Sequence, residues 1–182
     1  MTKRREPLGK RITNAGIGGA GYLFARFATH PPRLPVYHRP NEAFPTQEIT
    51  FLSRDGLRLS GWFVAAKEAK GGVVLCHGHP GTRMETLDRA KWLYEAGFHV
   101  LLFDFRALGR SEGTVSGIGC YEVQDLLGAV DILLARAEMA SLPLGVYGHS
   151  MGGAVSLLTA AQDPRIEAVA THGAYATLES AI

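Results

Sequence analysis

From about residue 72 onward, short apolar runs alternate with longer amphipathic segments, a pattern that predicts βαβ units around a mostly parallel sheet. The strand candidates are Val73 to Cys76, His99 to Phe103, Leu144 to Tyr147 and Ile166 to Thr171. Between them, Glu85 to Glu95 and Tyr121 to Arg136 show helical periodicity, with Val123, Leu126, Leu127, Val130 and Leu134 on one face of the second. A third helix is expected from Met151 to about Gln162, stopping before Asp163-Pro164. Upstream, Glu48 to Ser53 and Leu57 to Ala65 read as strands around Asp55-Gly56, a strong short hairpin signal. An antiparallel pair should therefore lead into the parallel part of the sheet.

At 182 residues, 46% hydrophobic and 20% charged, the chain suits one globular domain with a sizeable core. No internal repeat interrupts that reading. The prolines of His30 to Pro35 and Arg39 to Pro45 argue against helix or central strand, so they read as a connector. The division expected is a basic, Gly/Pro-rich extension over residues 1–45 and an α/β domain over 46–182. Cys76 and Cys120 have neither metal-ligand spacing nor the density of a disulfide framework, and are read as two reduced thiols.

Charge separates the ends. Residues 1 to 46 carry eight Lys/Arg against two Glu, which leaves the remainder at −4 within a net +2. Lys3, Arg4, Arg5, Lys10 and Arg11 precede an uncharged stretch from Ile12 to Ala25 that contains four glycines, and Arg26 ends it. That stretch is shorter than the roughly 20 residues needed to cross a bilayer. A surface-lying extension, association with a membrane surface and a secretion signal all stay open. Placement in the bacterial cytoplasm or at its membrane is expected ahead of secretion, and no nucleic-acid partner is expected.

Three constellations could support chemistry. Gly148-His149-Ser150-Met151-Gly152 lies between the apolar run Leu144 to Tyr147 and a helix that opens with small residues. A G-x-S-x-G turn of this kind strains and exposes a serine, while its glycines let strand and helix approach. Val73 to Cys76 runs into His77-Gly78-His79-Pro80-Gly81, a turn whose backbone could bind a developing oxyanion. Pro80 has no N–H, so His79 is the useful donor, paired with the amide of Met151 at the helix start. His77 and His79 alone, without a carboxylate or cysteine at ligand spacing, do not make a metal site. Asp104-Phe105-Arg106 opens a charged loop that reads as structural support, with Arg106 and Asp104 pairing across it. Gly16 to Gly21 follows no buried strand and is not a dinucleotide fingerprint.

Together the Asp55 to Trp62 hairpin, the His77-Gly78 turn, the Asp104-Phe105-Arg106 loop and the Gly148 to Gly153 elbow closely resemble the α/β-hydrolase family. The resemblance is closest to bacterial serine hydrolases of the serine-aminopeptidase-like and lysophospholipase-like kind. It implies an α/β-hydrolase fold lacking its last strands, no metal or organic cofactor, and a small-molecule acyl substrate. It makes Ser150 the nucleophile and the amides of His79 and Met151 the oxyanion hole, with His77, Gly78, Gly148, His149, Gly152, Asp104 and Arg106 as supports. In that family the triad acid and histidine follow the serine on later strands. They are expected beyond Ile182, and His172 and Glu179 come too early for those roles. Ala107 stands where a glycine is more usual after the arginine, a departure expected to have no consequence. A serine hydrolase whose acid and base lie outside this chain is the first reading, and an inactive chain acting as an interaction module, self-associating through its last strand, is the second.

Overall fold

The computed structural model describes residues 8–37 and 44–177. Lys3, Arg4, Arg5, the segment 38–43 and Glu179 lie outside the described residues. Six strands form one sheet in the order β1-β2-β4-β3-β5-β6. They are β1 Gln47–Leu52, β2 Arg58–Val64, β3 Gly72–Cys76, β4 His99–Phe103, β5 Leu144–His149 and β6 Ala168–His172. β2 pairs antiparallel with both β1 and β4, whereas β4-β3, β3-β5 and β5-β6 are parallel. The helices are α1 Leu8–Thr29, α2 Leu87–Glu95, α3 Glu122–Leu134 and α4 Met151–Ala160, with a 3₁₀ turn at Arg83–Thr86 before α2. The mostly parallel sheet with a leading hairpin is thus as expected.

The hairpin closes through its turn residues. Gly56 takes φ +92°, the left-handed conformation that glycine adopts without a Cβ penalty. The Ser53 hydroxyl donates to Asp55 and accepts the Leu57 amide at 2.8 Å, which orients the Asp55 carboxylate toward the charged loop. All five residues of β4 are buried because both faces of the sheet are covered there. On one face Val74, Cys76, Leu101 and Phe103 pack with Leu126, Val130 and Leu133 of α3 and Val155 of α4. On the other, Leu75, Val100, Leu102 and Trp62 pack with Ala90 of α2.

Two boundaries differ from the sequence expectation. β6 starts at Ala168 rather than Ile166, because Asp163 accepts the Arg165 amide and guanidinium and turns the chain there. Ile166 then points into the core, and pairing begins once the Glu167 amide reaches the Leu144 carbonyl at 2.8 Å. The second difference is α1, a 22-residue helix in the basic, glycine-rich extension, to which the sequence pattern assigned no element. Its glycines weaken helix propensity by about 1 kcal/mol each, yet no proline falls between Pro7 and Pro31 to break it.

The segment after α1 is strapped to the domain. The Arg33 guanidinium donates to the carbonyls of Leu108, Gly109, Ser111 and Gly113, and the Ser116 amide donates to Thr29 O at 2.8 Å. Val36 and Phe44 are buried against the α2 face.

The other end of the sheet is open. Among the described residues no strand pairs with the outer side of β6, and four of its five residues are exposed. Beside it an apolar groove of about 490 Å³ is lined by Val73, Trp92, Leu93, Tyr147 and Val169. An unpaired edge next to apolar surface invites strand pairing between chains. The 182-residue chain is therefore expected to show a sedimentation-averaged mass that rises with concentration, and Val169→Lys in β6 should suppress the rise.

Candidate active site

Ser150 occupies the turn between β5 and α4 with φ +50° and ψ −117°, a conformation that costs a non-glycine residue of order 1–3 kcal/mol. Its neighbours explain why the turn closes this way. A Cβ on Gly148 would lie 2.2 Å from the Gly152 carbonyl oxygen, and one on Gly152 would lie 2.4 Å from the oxygen of Cys76. Only glycine fits at either position. The strain is held from outside the turn by the Ser150 amide, which donates to His172 O at 2.8 Å.

The loop after β3 abuts this turn. A Cβ on Gly78 would lie 3.3 Å from Ser150 Cβ and 3.2 Å from His149 Nδ1. His79 follows on that loop, and Met151 opens α4, whose first amides have no intrahelical acceptor. Structure and sequence thus bring Gly78, His79, Ser150 and Met151 to one place. The Ser150 hydroxyl caps no helix, and among the described residues no imidazole or carboxylate hydrogen-bonds to it.

Each histidine near the serine is otherwise engaged. His77 is fully buried; its Nδ1 donates to the Gly78 carbonyl at 2.7 Å and its Nε2 accepts the Phe105 amide at 3.1 Å. That bonding requires a neutral ring, and burial lowers its pKa in agreement. It ties the end of β3 to the end of β4. Burial likewise lowers His79, whose Nδ1 lies 3.5 Å from the Ser116 hydroxyl. His149 Nδ1 bonds to Glu85 Oε1, and its ring stacks on that of His172 at 5.3 Å.

Glu85 was not singled out by the sequence. Its second oxygen accepts the Gly78 amide at 3.0 Å, so one carboxylate holds both the loop before the serine and the residue next to it. A glutamate in a first helical turn is ordinary, and no spacing points it at His149. Glu122 is a second such residue, buried and accepting the amides of Gly117 and Gly119 and the Ser116 hydroxyl, each at 2.8 Å.

The expected Asp104–Arg106 pair does not form. Asp104 instead accepts the Arg83 amide and guanidinium, both at 2.8 Å, and the Arg110 amide at 2.9 Å. Arg106 turns to the other side, where it bonds Asp55 and Asp125 at 2.7 Å each. On a continuing strand residues two apart would share a face, but β4 ends at Phe103 and the chain turns at Arg106-Ala107, so the two side chains reach different partners. Ala107 also departs from expectation, since it takes φ +63°. A left-handed alanine costs about 1–2 kcal/mol that glycine would not.

The chain is similar to several known proteins. The family model described as serine aminopeptidase, S33, matches residues 67–180. The uncharacterized protein YfhR of Escherichia coli is 31% identical over 147 residues, 75% of this chain and 51% of its own length. YqkD of Bacillus subtilis is 31% identical over 129 residues, 68% of this chain and 41% of its own length. The chain spans about half the length of the curated relatives it matches. Among solved structures, the Pyrococcus furiosus esterase Pf2001 superposes with a TM-score of 0.77 at 27% identity, covering 82% of this chain and 60% of that one. A dienelactone hydrolase from Anabaena variabilis superposes with a TM-score of 0.59 at 28% identity, covering 71% and 64%.

Both arginine sets make testable predictions. The Arg83 and Asp104 side chains are 0% exposed, so Asp104→Ala strands a buried guanidinium and should lower unfolding free energy by about 3–5 kcal/mol in urea titrations. Hydrogen bonds from Arg106 lower the Asp55 pKa from 3.8 to about 2. Because the folded value lies below the unfolded one, ionised Asp55 stabilises the fold above pH ~4, and that contribution is lost as pH falls through about 2. Burial pushes Asp125 up to about 6 against its bonds from Arg106, which acts with the opposite sign in a higher window. Asp55→Asn should flatten the loss of stability between pH ~4 and ~2 and leave the pH 5–7 dependence unchanged.

Proposed function

Because the chain belongs to the serine aminopeptidase S33 family of α/β hydrolases, we propose that it is the nucleophile-bearing part of a serine hydrolase acting on an ester, thioester or amide. The observation behind this reading is Ser150, held at φ +50° on a turn that only glycines permit, with its hydroxyl unengaged and Gly78 against its Cβ. Its Oγ attacks the acyl carbonyl, and the negative charge that develops on the carbonyl oxygen is met by the amides of His79 and Met151. The positive end of α4 adds to that stabilisation. Collapse of the tetrahedral species expels the leaving group and gives an acyl-enzyme on Ser150, which water then hydrolyses. The proton leaving Ser150 passes to a base outside the described residues, since His77, His79 and His149 are all otherwise bonded.

His77, Gly78, Glu85 and His149 act as supports in this scheme, because they place the His79 loop against the serine without reaching the reacting atoms. That no base among the described residues bonds the hydroxyl also favours a second reading, in which the 182-residue chain alone is inactive and serves as an interaction module. Hydrolases stripped of base and acid keep only about 10³–10⁴-fold acceleration from oxyanion hole and binding. The two readings separate on labelling with a fluorophosphonate probe. Ser150 in the isolated chain should react slowly, reach the rate of active esterases only in a longer protein or complex that supplies the base, and lose all labelling in Ser150→Ala. Rapid labelling of the isolated chain would instead show that a base is already within reach.

A further inference from the structure

We infer that the C-terminal half of α1 is a docking surface for an anionic lipid membrane. This inference is independent of the hydrolytic reading and concerns binding alone. Four large apolar side chains of this helix, Tyr22, Leu23, Phe24 and Phe27, are between 58% and 66% exposed. By the 3.6-residue period Leu23, Phe24 and Phe27 share one face, with Tyr22 and Arg26 flanking it. Exposed aromatic and aliphatic residues grouped on one helix face mark an interaction site rather than ordinary surface.

Charge selects the occupant. The first 46 residues hold eight Lys/Arg against two Glu, and the rest of the chain sums to −4. An anionic surface therefore attracts this end and repels the remainder, which orients the molecule as well as binding it. No described helix is long and apolar enough to cross a membrane, so α1 lies in the interface with its apolar face down. The C-terminal end of the helix is tied to the domain beside the candidate site. Its Thr29 carbonyl accepts the Ser116 amide at 2.8 Å, and Arg33 just beyond it clamps the 108–113 loop. The end of α1 thus lies beside the 108–116 segment, whose Ser116 hydroxyl is 3.5 Å from the His79 ring.

The test is co-sedimentation of the 182-residue chain with vesicles of phosphatidylcholine alone and of phosphatidylcholine mixed with phosphatidylglycerol. Binding is expected only to the mixed vesicles, and it should weaken at 0.5 M salt as the surface charge is screened. Combined Leu23→Ser, Phe24→Ser and Phe27→Ser should lower the partition coefficient by about tenfold or more, while the thermal unfolding of the domain stays unchanged. In a separate arm, the emission of Phe24→Trp should shift to shorter wavelength on mixed vesicles. Absence of binding to the mixed vesicles would overturn the inference. So would binding that the triple replacement leaves intact, or lipid-free dimerisation that depends on the same three side chains.

Discussion

Closeness of backbone to backbone at one point organises this molecule. Gly152 presses on the Cys76 and His77 carbonyls, and Gly148 presses on Gly152, at separations that a single methyl group would abolish. With strand and helix that close, the one residue between them is driven into the left-handed region, and that residue is a serine. The same contact brings the end of β3 beside the turn, so the His77-Gly78-His79 loop lies against Ser150. Parallel pairing of β3, β5 and β6 gathers their carboxyl ends there, where open α/β sheets place their sites.

Around this point the loops are held by buried charge. Arg83 with Asp104, and Arg106 with Asp55 and Asp125, tie the loop after β4 to the α2 turn on one side and to the hairpin and α3 on the other. Such pairs add little net stability over apolar packing, but removing one partner is severe, because the other remains buried and unpaired. Neutral histidines complete the frame. His77 joins two strand ends through a fixed tautomer, and Glu85 joins the Gly78 amide to His149. These contacts explain why the elbow keeps its strained geometry although no base among the described residues engages the serine.

The two ends of the sheet present different problems. At the hairpin end, the strap from His30 to Tyr37 covers the charged loop and leads back to a helix whose apolar side chains face outward. At the β6 end, an apolar strand sequence is left exposed, since among the described residues only β5 flanks it.

The alternation of apolar runs and amphipathic segments by itself determined the sheet, its leading hairpin and the helices that cover it, since burial on a pleated or helical face has a fixed period. The elbow and the His77 turn were legible for a similar reason: glycines at fixed spacing have a local steric meaning. Partners chosen across space were not. Asp104 and Arg106 stand two apart and look paired, but the turn that follows β4 sent them to different partners, and Glu85 reached His149 only because β3 and β5 pair in register. The left-handed Ala107 and the helix α1 were also beyond local reading. One is imposed by the loop that Asp104 anchors, and the other is held at its end by Ser116, some 87 positions later. Period and sterics are local and can be read along a chain, whereas the pairing of charges and amides is decided only when the tertiary fold brings distant segments together.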